Sequence, residues 1–466
     1  MNATAAEPGG HTQPPDGARA RRLTLIATSL GFAVVQLDVS VVNVAIKSIG
    51  AAFGGGVSAL QLIVSAYTIA FAAFILTAGA LGDRIGAKRV FIGGFALFTA
   101  ASAVCGVAPS LGVLIAARVV QGVGAAILLP CSLSLLNHCY TDPAGRARAV
   151  GLYLAGASAA LSGGPLVGGV LIATLGWRWI FFINVPVAIV GVYLTVRWAS
   201  ETTRSPGRGV DLPGQLTAIL ALTSLATAII EGGSSGFGDP LVLAGFGVAA
   251  IAGAAFLLVE RASVSPMLPL VLFRSRRFSS AAAIGLLINV VFYGMIFILS
   301  LLFQDEQRRS PLETGLALVP IMLAITASNL GAGRVMRRFG PAKVIAAGAL
   351  LLSLACAGLL GTGAHTSYLA IVIQLAGIGF GGGLIVPVVT SEMLGSTERS
   401  RSGVAAGTLN TLRQTGSSIG VALFGSLIAG GFTGGLRSVL LICIAVSLTL
   451  GALTMLMEKR PSGAPT

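Results

Sequence analysis

The sequence predicts an all-α protein that crosses a membrane many times, on three observations. Of its 466 residues, 55% are hydrophobic and only 10% are charged, whereas a water-soluble domain carries about 25% charged residues. The apolar residues gather into long runs with a mean hydropathy of +0.90 for the whole chain, and about 20 apolar residues suffice for a helix to cross a bilayer. The 63 glycines suit such helices, because small residues let neighbouring helix axes approach closely. Together these features argue against a water-soluble enzyme.

Fourteen apolar runs follow one another, near 23–46, 59–82, 90–109, 111–136, 148–172, 178–199, 212–231, 240–260, 279–303, 312–333, 344–361, 367–391, 403–430 and 434–457. Residues 1–22 are polar, rich in Pro, Gly and Ala, and end in Arg19, Arg21 and Arg22; they read as a disordered tail. The run after them is too long for the apolar core of a signal peptide and reads as a first membrane helix. An even number of spans puts both termini on one side. The clusters Arg84/Lys88/Arg89, Arg146/Arg148, Arg204/Arg208, Arg274/Arg276/Arg277, Arg334/Arg337/Arg338/Lys343 and Arg399/Arg401 then all fall on that side. Opposite them lie only Lys47, Arg178, Arg308, Arg309 and Arg437, and Arg118 and Arg413 fall inside spans. Positively charged loops face the cytoplasm, so both termini, including a short tail at 458–466, are expected there, in a bacterial plasma membrane.

The formal net charge of +14 arises in those loops. No basic stripe interleaved with aromatics exists, so nucleic acid is not an expected partner. Five cysteines lie in or beside apolar runs without C-x-x-C spacing, and three histidines are scattered; neither pattern makes a metal site or a disulfide framework. No G-x-x-x-x-G-K-[ST] loop occurs, so ATP hydrolysis is not the energy source. No cofactor is expected.

The chain also repeats itself. Gly79–Arg89, after the second run, is echoed by Gly333–Lys343 after the tenth. Gly122…Pro130 is echoed by Gly379…Pro387, and Arg146/Arg148 by Arg399/Arg401, all displaced by nearly the same length of chain. The expected organisation is a six-helix bundle over 23–199, two inserted helices with their loops over 200–278, and a second six-helix bundle over 279–457. Duplicated bundles are a transporter architecture, with the substrate site between the halves near the midplane.

Five motifs in order make the resemblance specific. Gly79-Ala-Leu-Gly-Asp83-Arg84-Ile-Gly86-Ala-Lys88-Arg89 is similar to the signature loop of the major facilitator superfamily, departing from it at Gly82 and Ala87. Leu37-Asp38-Val-Ser40-Val-Val-Asn43 resembles the first-helix motif of its fourteen-helix drug:proton antiporter branch, with serine in place of threonine. Arg118-Val-Val-Gln121-Gly122-Val-Gly124, Gly164-Pro165-Leu-Val-Gly168-Gly169 and Trp177-Arg178-Trp179…Asn184-Val-Pro186 are similar to motifs of helices four, five and six. The resemblance covers nearly the whole chain. It implies the major facilitator fold with fourteen helices (6+2+6) and a proton-driven exporter working by alternating access. Its substrates would be small amphipathic or lipophilic compounds, as for bacterial multidrug and antibiotic exporters of the methylenomycin-resistance type, and it would function as a monomer. A proton-coupled or facilitative importer on the same fold is the alternative, against which the span-five motif speaks. A membrane-embedded enzyme finds no cluster of catalytic side chains.

The residues carry their own argument. Asp38 lies mid-run, where a carboxylate costs about 3 kcal/mol on insertion scales, so it must be protonated, paired or facing a wet cavity. A helix–helix hydrogen bond and a proton-titrating role both satisfy that demand. Arg118 cannot deprotonate and needs either a clamp of backbone carbonyls or an acid whose ionisation it favours. Asp38 and Arg118 are therefore the candidate coupling pair, with Glu313 and Glu392 as fallback acids near helix ends. The repeat places Leu375 where the first half has Arg118, which confines coupling to that half. Gln36, Ser40, Asn43 and Lys47 share one helical face, and Asp38 points away from it. In span thirteen Asn410, Arg413, Gln414 and Ser417 share another. Asn43 and Gln121 on one side and Asn410, Arg413 and Gln414 on the other are expected to line a substrate cavity. Phe292, Tyr293 and Phe297 offer an aromatic surface or ordinary packing. Gly79, Asp83, Arg84, Gly86, Lys88 and Arg89 form a gating loop; in the family Asp83 would latch against the N-terminus of the helix beginning near Gly403, and Arg337 replaces it in the second copy. Gly164, Pro165, Gly168 and Gly169 form a helix-bend motif, because proline removes a backbone donor and glycine admits a close partner.

Overall fold

The computed structural model describes residues 15–54, 56–204, 211–263, 266–397 and 402–458. The helices run in chain order as α1 (Pro15–Phe53), α2 (Val57–Ile85), α3 (Ala87–Val107), α4 (Leu111–Cys139), α5 (Pro143–Thr174), α6 (Trp179–Phe182), α7 (Asn184–Trp198), α8 (Leu212–Ser235) and α9 (Pro240–Ala262). They continue as α10 (Arg276–Leu301), α11 (Pro311–Phe339), α12 (Pro341–Gly358), α13 (Tyr368–Gly395), α14 (Ser402–Ile428) and α15 (Phe432–Glu458). Starts are set by residues that satisfy free N–H groups: Ser110, Asp142, Asp211, Asp239, Ser275 and Ser310 each accept a hydrogen bond from the first turn of the helix they precede. The first helix begins at Pro15, two turns earlier than expected, which makes the end of the polar tail helical; residues 1–14 and 459–466 lie outside the described residues, as do Arg399 and Arg401.

Among the described residues, thirteen helical stretches are long and apolar enough to cross a membrane, with α6 and α7 forming one stretch, Trp179–Trp198. The fourteenth expected span corresponds to α14, which is 27 residues long but falls short of the same hydropathy measure because Asn410, Arg413, Gln414 and several Ser and Thr residues dilute it. Apolar side chains also cover the outside. Leu369 and Ile373, one turn apart on α13, are each 79% exposed. An outward apolar face of this kind is solvated by lipid. The protein is an all-α, polytopic membrane protein.

Packing joins α1 to α5, α7 and α4, and α2 and α3 to α4. On the other side α10 packs on α14, α13 and α15, while α11 and α12 pack on α13. Two seams cross between these groups, α2 on α14 and α5 on α11. The pair α8 and α9 pack on each other, and α8 alone reaches both α2 and α14, where Gln215 accepts from Thr77 and donates to the Ala73 carbonyl at 3.0 Å.

The glycine motifs explain how close these seams are. A Cβ on Gly169 would stand 2.9 Å from Leu312 at the start of α11, and Gly315 of α11 abuts the Pro165 carbonyl. Gly164 and Gly168 of the same motif face Ser40 and Val41 of α1. Span five's bend motif thus lies between α1 and α11, with Pro165 inside α5.

Candidate functional site

Asp38 on α1 and Arg118 on α4 are each 1% exposed, and the helices bring them together at 2.5 Å between Arg118 Nη1 and Asp38 Oδ2. Polar groups from three further positions contact the pair. Arg118 Nη1 also donates to Gln121 Oε1 at 2.7 Å, and Nε donates to the Ile63 carbonyl of α2 at 3.3 Å. Gln121 Nε2 donates to Asp38 Oδ1 at 2.9 Å. Asn184 Nδ2 donates to the same oxygen at 3.2 Å and to Ser102 Oγ at 3.0 Å. Ser102 in turn donates to the Phe181 carbonyl at 2.8 Å. The Tyr67 ring lies 4.2 Å from the guanidinium carbon, giving it a cation–π face.

Both needs foreseen for Arg118 are met at once, an acid and a backbone carbonyl. The arrangement has a direct chemical consequence. A proton added to Asp38 Oδ2 would compete with Arg118 for that oxygen, so protonation and the ion pair exclude each other. Asp38 points toward α4 and α7, away from the Ser40–Asn43–Lys47 stripe, as the helical spacing requires.

The stripe has its own partners. Asn43 is buried and donates to the Val39 carbonyl at 2.8 Å, and its Oδ1 has no partner among the described residues. Lys47 donates to the Gln304 carbonyl and pairs with Asp305 at 3.0 Å, both in the π-turn Leu302–Glu306 that ends α10. Gln121, named with Asn43 as cavity lining, hydrogen-bonds to both Asp38 and Arg118.

On α14, Asn410 is half-buried and donates to the Ala406 carbonyl at 3.0 Å. Gln414 and Ser417 are buried, and Gln414 Oε1 and Ser417 Oγ have no partner among the described residues. Arg413 is half-buried and close enough to Tyr293 of α10 to interact electrostatically. Its depth follows from two contacts between α14 and α2. Near one end Gln61 donates to the Val421 and Ala422 carbonyls at 3.2 and 2.6 Å. Near the other, a Cβ on Gly407 would stand 2.6 Å from Leu76. Arg413 and Tyr67 lie between these contacts on their respective helices, near the middle of the seam. Tyr293 also makes an edge contact with Phe292 at 5.3 Å, while Phe297 is fully buried in the apolar core.

The gating-loop residues occupy the junction of α2 and α3. Gly79 packs against Pro130 of α4, with a Cβ position 3.6 Å from the proline ring. Asp83 is half-buried in the last turn of α2, and Arg84 beside it is exposed. Gly86 links the helices at φ +106°, and a Cβ there would stand 2.5 Å from the Glu201 carboxylate. That carboxylate accepts from the Lys88 backbone N–H at 2.9 Å, lies 3.8 Å from Arg89 Nε, and is flanked by Thr202, which accepts from the Ala87 N–H at 2.9 Å. Lys88 Nζ donates to the Val196 carbonyl at 3.0 Å. The fallback acids stand at helix ends: Glu313 is exposed and caps α11 with Ser310, and Glu392 lies 3.7 Å from Arg277.

A family model described as Major Facilitator Superfamily matches residues 28–421. The chain belongs to the Major Facilitator Superfamily. It is a transporter rather than an enzyme. It is 35% identical to the methylenomycin A resistance protein of Streptomyces coelicolor over 420 residues, covering 90% of this chain and 87% of that protein. It is 34% identical to the multidrug resistance protein Stp of Mycobacterium tuberculosis, covering 88% of this chain and 76% of that one. Among solved structures it is similar to a single-site mutant of the nucleoside transporter NupG, with a TM-score of 0.65 at 12% identity over 94% of this chain and 100% of that chain. This last likeness concerns the superfamily fold alone.

Tyr67, Ser102, Asn184 and Glu201 take part and were not among the expected site residues. Asn184 was visible in the Trp177…Pro186 motif, and its place at the break between α6 and α7 frees its side chain for Asp38. Glu201 gave no signal, because a single acid after a membrane run looks like any solvated loop charge.

Proposed function

We propose that this transporter is a proton-driven exporter of small amphipathic or lipophilic compounds, a drug:proton antiporter working by alternating access. The observation that carries the reading is the Asp38–Arg118 pair, a carboxylate and a guanidinium in direct contact inside a membrane helix bundle. Intramembrane acids of this kind mark proton pathways. The relatives are named for resistance to methylenomycin A and to multiple drugs, which supports export.

In this reading Asp38 takes a proton from the outside, which releases Arg118 toward Gln121 and the Ile63 carbonyl. Loss of the proton to the cytoplasm restores the pair. The two states differ in what holds α1 to α4, and so bias the bundle between its two open forms. The halves are 23–199 and 279–457, with 200–278 inserted between them, both termini are cytoplasmic, and the unit of function is the monomer. The compound sits between the halves, bounded by Asn43 on one side and by Asn410, Arg413 and Gln414 on the other. Gly164, Pro165, Gly168 and Gly169 seal α5 against α1 and α11, and the Gly79–Arg89 loop governs switching.

The test is substrate-triggered proton release in everted membrane vesicles of cells expressing the chain. Wild type releases protons when an exported compound is added, and Asp38→Asn, present at equal level, does not. Uphill export by Asp38→Asn on a pH gradient would remove Asp38 from coupling.

A further inference from the structure

The membrane interior contains a positive charge that no described side chain neutralises. Asp38 and Arg118 cancel each other at 2.5 Å. Arg413, near the middle of the α2–α14 seam, makes no ion pair among the described residues. Its guanidinium stays charged at any physiological pH, and an intramembrane charge without a counter-charge is costly and points to a functional partner. We propose that the partner is the cargo, and that Arg413 recognises a single carboxylate on a lipophilic organic anion. This rests on the exporter reading above and names its substrate class.

The surroundings fit a carboxylate in three ways. Arg413 is half-buried, and its planar fork matches a carboxylate held by two hydrogen bonds. A hydroxyl donor stands nearby: Ser417 lies one turn further along the same face of α14, and its Oγ has no partner among the described residues. Tyr293 of α10 is close enough to Arg413 to interact with it electrostatically. Phe292, in edge contact with Tyr293, supplies an aromatic wall for an apolar body. A lone guanidinium balances one negative charge and would leave a divalent phosphate under-compensated. The direction of transport agrees with the charge, since an inside-negative membrane potential drives an anion outward and a proton inward.

The experiment uses the full chain in lipid nanodiscs and three probe pairs: 2-naphthoate, 4-biphenylcarboxylate and 1-naphthylacetate, each against its primary amide. Affinities are measured by calorimetry. Wild type binds the acids at least about tenfold more tightly than the amides, as a charge-assisted contact worth about 1.4 kcal/mol or more requires. Arg413→Lys keeps part of that preference, and Arg413→Gln reduces it to within about twofold. Thermal melting verifies that each variant is folded. Equal affinity for acids and amides in wild type, no binding of any acid, or a preference that survives Arg413→Gln would overturn the proposal. Asp38→Asn separates the two readings, because it keeps the acid preference while losing proton release. Intact proton release with no acid preference sinks the anion site alone, and acid preference without proton release in wild type sinks the coupling mechanism alone.

Discussion

Arg118 and Arg413 are arginines set into helices of the two halves, and they stand in opposite circumstances. Arg118 has an acid at 2.5 Å, a glutamine, a carbonyl and an aromatic ring. Arg413 has Tyr293 nearby and is only half-buried. The same side chain is therefore a closed electrostatic unit in one half and an open one in the other. A closed pair answers to protons, which compete for its acid. An open cation answers to anions. On the reading proposed above, the repeat that built both halves has been divided in chemistry, with coupling on one side and recognition on the other.

The largest effect expected from this contrast is on coupling. Asp38→Asn abolishes uphill export with protein still in the membrane, whereas Arg413→Lys still pumps, as measured by efflux of an exported dye or antibiotic on an imposed pH gradient. Loss of pumping by both to the same degree would erase the division. Stability comes next. Arg118→Met strands a buried carboxylate and lowers stability by about 3 kcal/mol. Arg413→Met removes an unpaired charge and leaves the melting temperature unchanged or higher. The double variant Asp38→Asn/Arg118→Met recovers most of the loss, because neither charge remains to be stranded. Melting of wild type and these three variants in one detergent checks the order, and an equal fall for both arginines would sink it.

A smaller contrast concerns the duplicated loops. Asp83→Asn slows turnover while leaving ligand affinity intact, and Arg337→Gln at the equivalent place slows it less. Normal turnover with weakened binding in Asp83→Asn would move this residue from switching to the binding site. The smallest contrast sits at the paired glycines. Gly86 and Gly340 both link two helices at positive φ, +106° and +84°. Alanine at either is strained by about 1–2 kcal/mol, but only at Gly86 would the new Cβ also meet the Glu201 carboxylate, whereas at Gly340 it meets nothing within 4 Å. Gly86→Ala is therefore expected to melt below Gly340→Ala.

What the sequence determined by itself was everything that depends on local composition. Apolar runs long enough to span a bilayer specify helices, because lipid offers the backbone no other hydrogen-bond partner. Motif order sufficed to place the chain in its superfamily, cost in lipid sufficed to single out Asp38 and Arg118, and a shared helical face singled out Arg413. What the tertiary structure decided was pairing. No spacing along the chain indicates that Asp38 on α1 meets Arg118 on α4, that Asn184 completes the cluster, or that Gln121 is drawn into it. Nor does any spacing reveal that Glu201 supports the loop at Gly86, or that Lys47 reaches Asp305. The reason is physical: a helix sets which face a side chain is on, but the neighbour on that face is chosen by how glycine-lined surfaces such as Gly164–Gly169 let distant helices approach, and that is a property of the packed bundle.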